Sequence, residues 1–194
     1  MNKLIYIDTE TTGLFPNKHG LTQLAAIVVI DGKEINSVNM NINPKTYCTF
    51  TPEIEDVALE IQGKTREEIA LNLKSNYQFK EFVSGINPYL KEDEKFQIVG
   101  YNTSFDIGFV KAWFKDNDAK FSDYFTYKDI DVFALVKHLR LLGLMDDCEN
   151  DKLSTVCKYF SIELDAHDAM NDIVATRELY QYLVHEYITT DARI

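Results

Sequence analysis

Residues 6–14 read YIDTETTGL, an apolar segment that runs into two acids and a polar turn. We expect residues 2–8 to form a buried β-strand, because Leu4 to Ile7 are all apolar. Side chains alternate along a strand, so Asp8 and Glu10 point to the same face. Two carboxylates that close repel each other, and more so where water is excluded. Either the strand has already ended and both acids are solvated, or a divalent cation binds between them.

The rest of the chain indicates an α/β fold in one domain, residues 1–194. Further strands are predicted at 22–31, 33–43 and 96–101, with a hairpin turn at Asp31-Gly32. Helices are predicted from Thr51-Pro52, after Gly63, and over 77–91, 105–115, 130–142, 152–160 and 168–188. This order predicts a mixed β-sheet flanked by helices, with the chemistry at strand ends.

The composition excludes several classes of protein. Apolar residues make up 45% of the chain and aromatic residues 12%, which fits a globular protein. Three cysteines without a signal peptide indicate reduced thiols in a cytoplasmic protein. The longest apolar run, residues 24–30, is too short to cross a membrane. The net charge of −11 argues against a protein that coats nucleic acid through bulk positive charge. It does not argue against a nucleic-acid enzyme whose bound metals supply the positive charge.

Two later segments place more candidate metal ligands at the ends of strands and helices. In FQIVGYNTSFDIGFV, residues 96–110, Asp106 lies where a helix begins. In DAHDAMNDIVAT, residues 165–176, His167 comes five positions before Asp172. Taken singly, Asp106 is explained as a first-turn acid that favours the helix dipole. His167 and Asp172 are each explained as ordinary surface residues.

Taken together, these motifs resemble the DnaQ-like 3′→5′ exonucleases. The order Asp-x-Glu, Asp, then His and Asp five apart is similar to the DEDDh subgroup, which includes the proofreading epsilon subunit of bacterial DNA polymerase III. The segment KLSTVCKYFSI, residues 152–162, also resembles the family. The resemblance covers about residues 2–184 and implies a ribonuclease H-like fold.

The resemblance also implies a two-metal mechanism with Mg²⁺ or Mn²⁺. Two ions roughly 3.5–4 Å apart serve the attacking and the leaving oxygen of a phosphodiester. Asp8 would bridge both ions, Glu10 and Asp172 would complete the site of the nucleophilic water, and Asp106 would hold the second ion. His167 would be the general base, on a mobile segment.

Four further residues are predicted to contact the substrate. Leu14 resembles the apolar wedge against the terminal bases, Thr11 a residue whose backbone meets the 3′ end, and Phe105 an aromatic that contacts a base. Core packing explains each of these three equally well. Gln62 lies where a His often contacts the terminal nucleotide, and its amide carries no charge.

The sequence therefore predicts a stand-alone 3′→5′ exonuclease on single-stranded DNA or frayed 3′ ends, which releases nucleoside 5′-monophosphates. The alternatives are a proofreading exonuclease that acts with a polymerase in trans and an RNA-trimming exoribonuclease. A non-enzymatic binding module is a further class, and it requires the loss of at least one motif residue. All five are present.

Overall fold

The computed structural model describes residues 2–189 and contains one six-stranded mixed sheet. Its strand order is β4-β3-β2-β1-β5-β6, so β1 lies in the interior of the sheet. The strands are β1 Lys3–Thr11, β2 Leu21–Ile30, β3 Lys33–Asn43, β4 Leu73–Lys74, β5 Phe96–Gly100 and β6 Phe125–Asp131.

The strand directions place several carboxyl ends at one edge of the sheet. β2 is antiparallel to both β1 and β3. β5 is parallel to β1, and β6 is parallel to β5. The carboxyl ends of β1, β5 and β6 therefore meet at the same edge, which is where polar side chains of different strands can converge.

Residues 2–189 contain seven α-helices. Their bounds are α1 Asp56–Ile61, α2 Arg66–Leu71, α3 Ser75–Ile86, α4 Thr103–Asp116, α5 Val132–Leu141, α6 Leu153–Tyr159 and α7 Ala169–Leu183. Helices α3, α4, α5, α6 and α7 pack against the sheet. One core lies between the sheet and α3 with α4, and it is rich in aromatic rings. The other lies between the sheet and α5, α6 and α7. None of the helices described for residues 2–189 combines the length and apolar character that crossing a bilayer requires.

The predicted mixed sheet with flanking helices is confirmed, and the main correction concerns the first strand. β1 continues to Thr11 instead of ending at residue 8, because each of its residues still pairs with β2. Asp8 and Glu10 are therefore strand residues, and neither is fully exposed. The alternative in which both acids are solvated loop residues is wrong.

Other predicted boundaries also shift. The helix expected from Thr51-Pro52 begins only at Asp56, since Glu53 is held by a parallel bridge to His19 and the chain is extended there. The helix expected over 77–91 ends at residue 86, before Pro88. The helix expected from residue 130 begins at 132.

Strands β4 and β6 were missed. In β6 the first residue, Phe125, is buried and the next six are exposed or half-buried, so the segment lacks the apolar pattern of an interior strand. Asp131 ends β6 and also caps α5, where its side chain accepts a hydrogen bond from the backbone N–H of Phe133. β4 has only two residues, both exposed.

Candidate active site

Strand β1 delivers Asp8 and Glu10 to the face of the sheet that α7 covers. Leu4 and Tyr6 have the same parity and lie in the core beneath α5, α6 and α7. In the β1–β2 ladder, Asp8 faces Ala25 and Glu10 faces Gln23. The sheet therefore holds both carboxylates side by side, as the alternation predicts.

Helix α4 brings Asp106 to the same end of β1. The strand before it ends at Gly100, where a Cβ atom would lie 2.9 Å from the carbonyl oxygen of Ile7. Only glycine therefore allows β5 to approach β1 this closely without a shift. Asp106 is 4% exposed, and its Oδ1 accepts a hydrogen bond of 2.7 Å from Thr9 Oγ1. Thr9 lies between the two acids of β1 and thus ties α4 to them.

The first turn of α7 supplies Asp172, and the turn before it supplies His167. The backbone N–H of His167 donates to Asp172 Oδ2 at 3.4 Å. His167 is exposed and has a φ of 73°, a left-handed conformation that few residues other than glycine adopt. One ligand atom from each of Glu10, His167 and Asp172 lies within 4.8 Å of the others. The structure thus brings these three together from opposite ends of the chain.

The carboxylates raise one another's pKa values. Burial, followed by the charges of Asp106, Asp172 and Glu10, raises the pKa of Asp8 well above its usual range. Burial and the charge of Asp172 raise the pKa of Glu10 to about 7. Burial raises the pKa of Asp106 to about 7, and burial raises that of Asp172 to about 6. The charge of Lys64 lowers the pKa of Glu10, but burial and the neighbouring acids outweigh it. Negative charge is therefore crowded here, as expected of a cation site.

The donor set fits a divalent metal ion. Asp172 Oδ1 is buried and accepts no hydrogen bond from any described residue, although a buried carboxylate oxygen normally has a partner. Carboxylate oxygens are the ligands that Mg²⁺ and Mn²⁺ prefer. The group Glu10, His167 and Asp172 could therefore hold a metal ion, which makes this a candidate metal centre.

The four predicted substrate residues line one cavity beside these acids. Its volume is about 280 Å³, and its wall includes Thr11, Leu14, Gln62, Phe105 and Glu10. Leu14 is 67% exposed, so it does not serve core packing. Phe105 is half-buried against Phe109, with ring centroids 5.0 Å apart. The rest of the wall is largely apolar and includes Val57, Ala58 and Ile61.

Gln62 has internal partners that the sequence did not indicate. Its amide nitrogen donates to the backbone carbonyls of Thr11 at 2.7 Å and Ala58 at 3.0 Å. Its amide oxygen accepts from Thr22 Oγ1 at 2.6 Å. The side chain therefore ties the end of α1 to β1 and β2, and a contact with substrate would have to use the remaining lone pair of the oxygen.

The turn at Gly13 rests on a buried histidine. A Cβ atom at Gly13 would lie 2.6 Å from the ring of His19. The His19 ring is 1% exposed, its Nδ1 accepts the backbone N–H of Phe15 at 2.9 Å, and its Nε2 lies 3.1 Å from Glu55 Oε1. This packing fixes the loop that carries Leu14 into the cavity.

Three residues that the sequence did not single out as site residues form what we call the Gln23 network: Gln23, Lys64 and Asp168. Lys64 Nζ donates to Gln23 Oε1 at 3.0 Å, and Gln23 Nε2 donates to Asp168 Oδ2 at 2.9 Å. Burial alone would raise the pKa of Asp168, but hydrogen bonds, that from Gln23 among them, outweigh it and lower the pKa. Asp168 carried a recognisable signal, an acid just before a helix. Lys64 carried none.

Comparison with known proteins identifies the family of this chain. A model of the exonuclease family, RNase T, matches residues 5–180. A PolC-type DNA polymerase III of Latilactobacillus sakei is 28% identical over 184 residues, 94% of this chain but 11% of that protein. The 3′-5′ DNA exonuclease Cap18 of Escherichia coli is 30% identical over 117 residues, 57% of this chain and 56% of that protein.

The fold is shared with a solved structure. Exonuclease I of E. coli, in complex with a dT13 oligonucleotide, superimposes with a TM-score of 0.80. The match covers 99% of this chain and 43% of exonuclease I, at 20% identity, and confirms the ribonuclease H-like fold. The chain thus spans about half or less of the length of each of these proteins. Because the family model matches residues 5–180, most of its length, this chain belongs to the exonuclease family that the RNase T model describes.

Proposed function

We propose that this protein is a two-metal-dependent 3′→5′ exonuclease that removes nucleoside 5′-monophosphates from single-stranded DNA or frayed 3′ ends. The observation that carries the proposal is the convergence of Glu10, His167 and Asp172 beside a cavity large enough for part of a nucleotide. Asp8 and Asp106 lie close enough to interact electrostatically with each other.

The acids of the site would hold Mg²⁺ or Mn²⁺. Asp8 would be shared between two ions, Glu10 and Asp172 would complete one site, and Asp106 would serve the other. Bound there, the ions would polarise the phosphodiester and lower the pKa of the attacking water. The clustered carboxylates repel one another without a cation, so the site favours cation binding at neutral pH.

His167 would remove a proton from the attacking water. A neutral imidazole nitrogen accepts a proton at physiological pH, and the exposed ring is accessible from solvent. The ring nitrogen lies within 4.8 Å of the Glu10 and Asp172 oxygens, so water held by these acids would be within its reach. Because the same geometry suits a ligand, a substitution must separate the two roles.

The cavity would receive the terminal nucleotide. Leu14, Val57 and Ile61 present exposed apolar side chains, which suit the face of a base. Phe105 adds an aromatic ring on the side of α4. Thr11 contributes backbone groups, since its hydroxyl is already donated to the carbonyl of Gly13.

Single-stranded DNA is the substrate that we favour. The related Cap18 is described as a 3′-5′ DNA exonuclease, and exonuclease I binds a dT13 oligonucleotide in its crystal structure. The similarity to a PolC-type polymerase supports proofreading in trans as a second role, and RNA trimming is a third. All three share the site chemistry, so the choice among them depends on substrate.

The test is digestion of 5′-labelled single-stranded DNA, frayed duplex and RNA by the purified protein with Mg²⁺, Mn²⁺ or EDTA. We expect ladders that shorten from the 3′ end, nucleoside 5′-monophosphates as products, and a preference for single-stranded DNA. Activity that persists after thorough chelation, or products released from the 5′ end, would overturn the proposal. The matched control is Asp172→Asn, which keeps the shape of a site residue and removes its charge.

A further inference from the structure

The Gln23 network joins three separate parts of the fold next to the candidate active site. Gln23 is 1% exposed and lies opposite Glu10 in the β1–β2 ladder. Lys64 comes from the loop before α2, and Asp168 from the start of α7. The amide of Gln23 thus connects the middle of the sheet to the helix that carries Asp172.

The partners of Gln23 allow only one orientation of its amide. Lys64 offers hydrogen-bond donors only, so the amide oxygen must face it. The ionised Asp168 only accepts, and its Oδ2 lies 2.9 Å from Gln23, so the amide NH₂ must face it. The same NH₂ donates to Asn39 Oδ1 at 2.9 Å. Lys64 therefore fixes the direction in which Gln23 donates.

Asp168 passes this constraint on to the first turn of α7. Its Oδ1 accepts the backbone N–H groups of Met170 at 3.0 Å and Asn171 at 3.3 Å. Its backbone carbonyl accepts the N–H of Asp172 at 2.9 Å. His167 is the residue directly before it. Holding Asp168 therefore holds both His167 and Asp172.

We propose that Gln23 and Lys64 are positioning residues of the exonuclease reaction, because they tether Asp168 and so align His167 and Asp172 with Glu10. This inference rests on the proposed function. The tether acts across β2, so it sets the distance between the β1 acids and the α7 residues. A displacement of about 1 Å at such a site lowers the rate by a factor on the order of 10². The end of the substrate binds elsewhere, in the cavity, so the tether should affect kcat and not KM.

The decisive variant is Gln23→Glu, which keeps the shape of the side chain and replaces the donor that faces Asp168 with an acceptor. We expect kcat on a single-stranded oligonucleotide at saturating metal to fall about 10- to 100-fold, with KM within about threefold of wild type. The matched control is Asn39→Asp, which adds the same charge beside the same amide but keeps an acceptor for it. The control should stay within about threefold of wild type in kcat.

Lys64 gives an independent pair of variants. Lys64→Met removes the donor that orients Gln23, and we expect kcat to fall about tenfold. Lys64→Arg keeps a donor, so it should recover at least half of the wild-type kcat. Lys64 also acts electrostatically on Glu10, so this pair is compared by hydrogen exchange at Met170, Asn171 and Asp172 as well as by kcat. Faster exchange in Lys64→Met than in Lys64→Arg decides the question if Gln23→Glu does not fold, and Lys64 is only half-buried.

Hydrogen exchange tests the tether without a measurement of enzyme activity. In metal-free protein, the amides of Met170, Asn171 and Asp172 should exchange faster in Gln23→Glu than in wild type. In Asn39→Asp, these amides should exchange at the wild-type rate. A wild-type protein without exonuclease activity would refute the proposed function and leave this measurement valid. Unchanged exchange in Gln23→Glu, equal losses of kcat in Asn39→Asp, or no rescue by Lys64→Arg would overturn the positioning role.

Discussion

The substitution Glu10→Gln should stabilise the metal-free protein, although it removes a proposed metal ligand. Burial and the charge of Asp172 raise the pKa of Glu10 from 4.5 to about 7. A raised acid pKa means that the folded state binds the proton more tightly than the unfolded state. The corresponding stability is fully present below about pH 4.5 and is lost as the pH rises through about 7. Glutamine has no proton to lose, so the variant does not suffer this loss.

The size of the effect follows from the pKa difference. A shift of the Glu10 pKa from 4.5 to about 7 corresponds to a loss of about 3 kcal/mol of unfolding free energy at pH 8. At pH 5 the stability lost through ionisation of Glu10 is only about 1 kcal/mol. For a protein of this size, 3 kcal/mol corresponds to a rise in Tm of about 6–12 °C. This is an upper limit, because neighbouring acids take up protons when Glu10 is ionised.

The assay is thermal unfolding in EDTA at pH 5 and pH 8. We expect Glu10→Gln to exceed wild type in Tm by several degrees at pH 8 and by much less at pH 5. Glu81→Gln, at an exposed position of α3, is the charge-matched control and should change Tm little at either pH. Excess Mg²⁺ should reverse the ranking at pH 8, because wild type gains binding energy that the variant lacks. A variant that is no more stable than wild type at pH 8 would refute the reasoning.

Three more outcomes are expected. His167→Ala should lower the rate of hydrolysis by a factor on the order of 10²–10⁴ and leave metal affinity, measured by calorimetry, nearly intact. Asp8→Ala should lose metal binding. Equal losses of metal affinity in the two variants would make His167 a ligand. Binding of a single-stranded oligonucleotide to an inactive variant in Ca²⁺ should weaken only slightly with salt, with a slope of log affinity against log salt of about −0.7 to −2, equivalent to one to three phosphates. The reason is that about −7 of the −11 net charge remains after two divalent ions are bound. A slope equivalent to six or more phosphates would reveal a basic track. Gly13→Ala should cost about 1–3 kcal/mol in unfolding free energy, because its Cβ would lie 2.6 Å from the buried His19 ring. Gly85→Ala, where the nearest contact is an ordinary 3.4 Å, should not destabilise.

Local pattern was sufficient to predict the fold class and the strands of the sheet interior. The apolar run of β2 and the Asp31-Gly32 turn identify the first hairpin, and Gly32 has the positive φ that this turn requires. Strand β6 was missed because an edge strand pairs on one side only and tolerates exposed polar residues. The end of β1 was misplaced because acids normally disfavour a strand, and here pairing with β2 overrides that preference.

The motif acids and His167 could be predicted as site residues from the sequence because their spacing is local within each segment. The Gln23 network could not, since Gln23 and Lys64 lie 41 positions apart in the sequence and meet only in the tertiary structure. Gln62 shows the same limit, as its contact with Thr22 depends on how α1 packs against the sheet. Spacing along the chain thus predicts which residues carry chemistry, and the tertiary structure determines which residues hold them.

The order in which the chain is synthesised has a consequence for a protein with this site. Asp8 and Glu10 are synthesised before Asp172, on a strand whose antiparallel partner β2 follows closely in the sequence, whereas Asp172 follows much later on α7. The parallel partner β5, which brings Asp106 into place, also lies far along the sequence, and such long-range pairing is slow. A partly synthesised chain therefore carries two acids of the centre but neither His167 nor Asp172. Under the proposed function, the nascent protein therefore has no complete active site until the first turn of α7 has been synthesised.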